Sequence, residues 1–141
     1  MKKVVVFSQI DQDVLTQLQQ DYQVVVLNPK LGDINEQIRT EIVDADAMIG
    51  AGRLLNQSNL APAQKLKMIS TVSVGYDNYD VDYLNQQRIW LANTPHVLTE
   101  TTADLAFSLL LSAARKIPQL DAWTKQGQWK RTVAVEQFGV D

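Results

Sequence analysis

The stretch Ser73-Val74-Gly75-Tyr76-Asp77-Asn78-Tyr79-Asp80 holds the residue types best suited to chemistry in this chain. It follows an apolar run, Met68 to Val72, that has the character of a strand. A glycine at such a place lets the backbone come close to a ligand. Consecutive unpaired amides around it make a nest for an anion, and a small carboxylate fits that chemistry. A plainer reading of the same residues stands beside it. Gly75 turns the chain, and Asp77 or Asp80 caps a helix that starts near Val81.

Gly50-Ala51-Gly52 follows an earlier apolar run and invites a dinucleotide-binding reading. The reading fails, because Leu55 stands where G-x-G-x-x-G needs its last glycine, and no helix opens directly behind it. Two possibilities are left: a mobile loop at the sheet edge, or a substrate-facing loop in which Arg53 contacts an anion and Leu54 walls a pocket. His96 is the single histidine. A general base needs an orienting carboxylate and a substrate pose, and the sequence shows neither, so His96 is expected at the surface of a linker. No cluster of His, Asp and Glu has metal-ligand spacing, and the absence of cysteine excludes thiolate sites, disulfides and a cysteine nucleophile. Trp123, Trp129 and Phe138 read as packing or interface residues rather than stacking platforms.

The elements that position these residues are regular. Apolar runs at Val4–Phe7, Val24–Leu27, Ala47–Ile49, Met68–Val72 and Ile89–Leu91 recur at near-constant spacing. Between them lie amphipathic stretches: Val14, Leu15 and Leu18; then Ile34, Ile38 and Ile42; a short irregular helix around Pro62; and one marked by Val81 and Leu84. Continuous apolar strands alternating with helices predict β-α-β units and a parallel sheet covered on both faces. Right-handed crossovers then give an α/β, flavodoxin-like doubly wound domain over residues 1–98. A receiver domain shares that architecture but needs a phosphorylatable Asp after the third strand, where Ile49-Gly50-Ala51-Gly52 stands. A flavodoxin needs a hydroxyl- and Gly-rich loop after the first strand, and Ser8-Gln9-Ile10-Asp11 is not one.

Beyond Asn93-Thr94-Pro95 the rhythm changes. Thr101 and Asp104 are spaced as a capping box, opening a helix over 101–115 with apolar residues at Ala103, Ala106, Phe107, Leu110, Leu111 and Ala114. The helix is apolar almost all round, so it calls for a partner on more than one side. A second helix runs from Pro118 to Lys125 and stops at Gly127, and Lys130 to Asp141 read as an irregular arm.

Composition agrees with one ordinary domain. The chain has 141 residues, 45% hydrophobic and 21% charged, with a net charge of -3. The two signs are interspersed, which disfavours a nucleic-acid or anionic-membrane surface. The amino-terminal apolar run stops at Ser8-Gln9, short of a signal-peptide core, and no stretch reaches the ~18 apolar residues of a membrane span. A soluble, cytoplasmic protein is expected.

Ser70-Thr71-Val72-Ser73-Val74-Gly75-Tyr76-Asp77-Asn78-Tyr79-Asp80, together with Asn93-Thr94-Pro95 and Val97-Leu98-Thr99-Glu100-Thr101-Thr102-Ala103-Asp104, resembles the D-isomer-specific 2-hydroxyacid dehydrogenases. Within that family the likeness is to the bacterial B-type glyoxylate/hydroxypyruvate reductases, which also reduce 2-ketogluconate. Gly127-Gln128-Trp129 and Phe138-Gly139-Val140-Asp141 fit the same subgroup. The resemblance implies an oxidoreductase that passes a hydride from NADPH or NADH to a small 2-oxo acid and yields the D-2-hydroxy acid. It implies that residues 1–98 bind substrate, with the amides of Val74 and Gly75 on its carboxylate and Arg53 or Leu54 lining the pocket. Thr102 would lie near the cofactor, NADP or NAD. Residues 99–141 would be a crossover helix and dimerisation arm at the start of a dinucleotide-binding (Rossmann) domain. Some relatives insert a tryptophan from this arm into the neighbouring subunit's pocket, and here Thr132 stands in its place.

The family's glycine-rich loop and its catalytic arginine, glutamate and histidine do not map onto this chain, so no catalytic residue is assigned and the piece is expected to be inactive alone. A homodimer or self-association through residues 101–141 is expected. The alternative, from another class, is a standalone small-carboxylate-binding or interaction module on the same fold.

Overall fold

The structure is a computed structural model that describes residues 1–130. Strands and helices alternate: β1 (Lys3–Val6), α1 (Gln12–Asp21), β2 (Gln23–Val26), α2 (Ile34–Glu41), β3 (Ala47–Gly50), α3 (Gln57–Leu60), β4 (Met68–Thr71), α4 (Val81–Gln87), β5 (Trp90–Ala92), α5 (Thr99–Ala114) and α6 (Ile117–Lys125). The strands pair in parallel in the order β2-β1-β3-β4-β5. This is the flavodoxin-like order, and its ligands characteristically sit beyond the carboxyl ends of the strands.

The apolar runs become strands because β1 is buried on both sides and β3 and β4 bury one face in the core. All four residues of β1 are buried. Across the register Val5, Met48 and Ile69 line one face, and each is at most 1% exposed. Ile34 and Ile38 of α2, Ile42 behind it, Leu60 of α3 and Leu84 of α4 join them in one core. The four-residue step of the isoleucines is a single helix face, and burying each such side chain stabilises the fold by roughly 1.5–3 kcal/mol. Asp11, Asp33, Asn56 and Asp80 cap their helices through first-turn amides.

The opposite face differs from the expected full cover. Ala47, Met68 and Trp90 stand in register there, yet Met68 is 41% and Trp90 78% exposed. The buried residues of α2, α3 and α4 all belong to the first face, and α1 lies against β2 at the far end of the sheet.

At the amino ends of the strands Lys3 is pinned. Its Nζ lies 2.9 Å from Glu41 and 2.6 Å from Asp44, and its backbone N–H donates to Asp46 at 2.8 Å. Burial works against the Lys3 ammonium, but its hydrogen bonds to Asp44 and Glu41 and their charges outweigh that and raise its pKa. The same contact, led by the hydrogen bond from Lys3, holds the Asp44 carboxyl below its ordinary value.

The chain divides into two compact units, the first Met1–His96 and the second opening at Val97. In the second, α5 begins two residues earlier than its spacing predicts, with Leu98 at the N-cap and no side chain capping it. Thr101 is already inside the helix and its hydroxyl turns back to the Leu98 carbonyl at 3.2 Å, so the capping box does not form. The helix ends at Arg115, and α6 carries Pro118 in its first turn and is followed by Gly127 at φ 70°. No residue of α5 or α6 is buried. Thr132, Phe138 and most of the expected arm lie outside the described residues. No helix among the described residues is long and apolar enough to cross a membrane.

Candidate functional site

Two loops leave the carboxyl ends of adjacent central strands and are joined. The loop after β4 runs from Val72 to Asp80, and the loop after β3 carries Gly52, Arg53 and Leu54. Leu55 bridges Tyr79 in parallel, its N–H donating to the Asn78 carbonyl at 2.8 Å and its carbonyl accepting from Asp80 at 3.1 Å. The Gly50–Gly52 segment is likewise held, since Ala51 donates to Ser8 Oγ at 2.7 Å. It leaves the middle strand of the sheet, not an edge as its glycines suggest.

The β4 loop is tied down through its carbonyls. Thr94 N–H donates to the Ser73 carbonyl at 3.0 Å, Asn93 Nδ2 to the Val74 carbonyl at 2.9 Å, and Ser73 Oγ to the Gly75 carbonyl at 2.7 Å. Its amides are not. Among the described residues no acceptor takes the N–H of Val74 or of Gly75. Both residues are exposed, Val74 by 42%. Consecutive amides left without internal partners at the rim of a parallel sheet are free to donate to an anion.

Gly75 is not explained by the fold. Its φ lies outside the left-handed region, and a Cβ there would meet only Asp77 Oδ2, at 3.5 Å, an ordinary contact. The turn does not demand a glycine, and the missing side chain leaves the backbone open at this point. The capping half of the plainer reading is realised separately, by Asp80 Oδ1 accepting from Tyr83 N–H at 3.0 Å.

Thr71 and Tyr79 support the loop from below, roles that nothing in their residue types signals beyond their place in the motif. Thr71 is 1% exposed and its Oγ1 lies 2.6 Å from Ser73 Oγ. The Tyr79 hydroxyl is buried beside Thr71 without a well-formed hydrogen bond among the described residues. Burial pushes its pKa up, and the Thr71 hydroxyl pulls weakly the other way.

Arg53 and Leu54 border a shallow hollow of about 310 Å³ together with Gly52, Asn56 and Asn59. Leu54 is 61% exposed and Arg53 half-buried. A larger hollow of about 650 Å³ opens between α4 and β5, lined by Tyr76, Leu84, Arg88, Trp90 and Asn93 among others, so it borders the β4 loop. No group of acidic or histidine side chains among the described residues is placed to hold a metal. His96 closes the first unit, exposed and at φ 66°. Thr102 belongs to the second unit; it is exposed on α5, its N–H bonded to Leu98 within the helix.

The family model for the D-isomer specific 2-hydroxyacid dehydrogenase catalytic domain matches residues 4–136. A glyoxylate/hydroxypyruvate reductase B from Serratia proteamaculans is 36% identical over 138 residues, 98% of this chain and 42% of that protein. The protein of the same name from Yersinia enterocolitica is 38% identical over the same shares. The chain thus spans about two-fifths of the length of these curated relatives. Among solved structures, an NADPH-dependent glyoxylate/hydroxypyruvate reductase from Sinorhizobium meliloti, in complex with NADP and malonate, superposes at a TM-score of 0.69. It is 27% identical, and the match covers 99% of this chain and 41% of that one. The match along nearly the whole chain, on a sheet of this order, places the protein in the D-isomer-specific 2-hydroxyacid dehydrogenase family.

Proposed function

We propose that residues 1–98 form the substrate-carboxylate half of a reductase of small 2-oxo acids, with glyoxylate, hydroxypyruvate and 2-ketogluconate as the candidate substrates. The observation that carries this is the pair of unpartnered N–H groups at Val74 and Gly75. They offer a carboxylate two hydrogen bonds without a counter-charge, and hydrogen bonds to an ionised acceptor are about twice as strong as neutral ones. Arg53 and Leu54, carried by the adjoining loop, supply a cation and an apolar wall beside the same rim.

The reduced nicotinamide of NADPH or NADH, when bound, supplies the hydride that the 2-oxo carbon receives, while its oxygen takes a proton and the D-2-hydroxy acid forms. Thr102 fits a contact with that cofactor, because its side chain is exposed and no hydrogen bond among the described residues occupies its hydroxyl. This chain's own task is to fix one end of the substrate, which turns a free acid into an oriented one. No described residue is assigned the proton transfer.

Residues 99–141 serve as the crossover and dimer arm that begins a dinucleotide-binding domain. The support is α5, where Leu105, Phe107, Leu109, Leu110 and Leu111 are each more than half exposed. A second copy of the chain is the partner such a surface suits.

Saturation-transfer NMR with each of the three 2-oxo acids, and with neutral glycolaldehyde as the control, tests the carboxylate reading. The acids should bind the chain and glycolaldehyde should not. Equal binding of all four, or of none, would remove the proposal's basis.

A further inference from the structure

Three successive carbonyls of the β4 loop are gripped: Ser73 by Thr94, Val74 by Asn93 and Gly75 by the Ser73 hydroxyl. A trans peptide is planar, with its C=O and N–H opposed, and no described peptide is cis. A grip on one residue's carbonyl therefore aims the next residue's N–H in the opposite direction. Thr94 aims the amide of Val74, Asn93 aims that of Gly75, and Ser73 aims that of Tyr76. None of these three amides has an acceptor among the described residues.

We infer that Asn93 is the positioning residue of the carboxylate nest, and that the Thr71–Ser73 hydroxyl pair extends the nest by presenting the amide of Tyr76 as a further donor. The inference rests on the carboxylate reading above. Its chemistry is consistent atom by atom. Ser73 has one hydroxyl proton and gives it to the Gly75 carbonyl, so Thr71 must donate to Ser73 across their 2.6 Å contact. Asn93 is a neutral donor reaching across from the segment that follows β5. An aspartate there would lose the donor and set a negative charge beside the nest. Asn93 also stands just ahead of Val97, where the second unit opens. The segment leading out of the first unit is thus the one that orients the donors.

The test uses the full chain labelled with ¹³C and ¹⁵N. In the wild type, a through-hydrogen-bond coupling should link Asn93 Nδ2 to the Val74 carbonyl carbon; its absence overturns the inference without any variant. Asn93→Ala should bind glyoxylate about tenfold more weakly, the equivalent of about 1.4 kcal/mol, with a blunted response at the Gly75 amide and a thermal midpoint within a few degrees of wild type. Ser73→Ala should lose its response chiefly at Tyr76. Unchanged affinity in Asn93→Ala, in a wild type that binds, overturns the positioning role alone. A wild type that does not bind glyoxylate overturns the carboxylate reading and this inference with it.

Discussion

The Phe7 ring lies directly against Gly50: a Cβ on Gly50 would stand 2.8 Å from ring atoms of Phe7. Phe7 is 2% exposed and sits in the core, so the ring has no room to give. Gly50→Ala should cost about 1–3 kcal/mol through overpacking. Urea unfolding measures it, and a midpoint equal to wild type would contradict the packing account.

Gly75 should behave in the opposite way. Gly75→Ala meets no close atom and no left-handed backbone, so stability should hold or rise by up to about 1 kcal/mol. Binding of glyoxylate should nevertheless weaken by about tenfold, since a methyl group would stand where the ligand approaches. Thermal unfolding and ligand-observed NMR on the same sample separate the two effects. A variant that binds as wild type does would return Gly75 to the role of a plain turn.

The Lys3 cluster fixes how stability depends on pH at both extremes. Asp44 is held below its ordinary 3.8, first by the hydrogen bond from Lys3. Its folded pKa is lower than its unfolded one, so its contribution is complete above the unfolded value and is lost as pH falls through the folded value. Lys3 is held above 10.5 by its two carboxylates despite its burial. That contribution is complete below 10.5 and is lost as pH rises through the folded value. Lys3→Met should therefore flatten the stability profile at both ends relative to wild type. Parallel urea-unfolding profiles for the two proteins would show that the cluster is not coupled to folding.

The surface of α5 predicts association. At roughly 25 cal/mol per Å², covering even a few hundred Å² of apolar surface is worth several kcal/mol. Sedimentation velocity at high micromolar concentration should show dimers or larger species, and Leu105→Glu combined with Phe107→Glu should reduce them. A wild type that sediments as a clean monomer would end the proposal of a dimer arm in this chain.

The sheet was legible because β1 is buried on both sides and β3 and β4 on one, so they appear as short runs of Val, Ile and Met. The isoleucines of α2 were legible because a four-residue step can only be one helix face. The start of α5 was not, since Thr101 offers the same hydroxyl to a cap or to a carbonyl one turn back, and spacing cannot distinguish them. The open side of the sheet was hidden for a related reason: Met68 and Trp90 are apolar whether covered or bare. At the site, the motif pointed to Val74 and Gly75, but the free state of their amides depends on Asn93 and Thr94, which come from another element. Nothing in the residue type of Asn93 reveals which carbonyl it holds.

The most direct test of the nest is a site-resolved titration of the ¹⁵N-labelled chain with glyoxylate, followed through the backbone amides. Val74 and Gly75 should move together and saturably, ahead of amides elsewhere on the sheet, and a neutral analogue should leave them in place. Saturable shifts confined to other parts of the chain, with those two amides unmoved, would contradict the account.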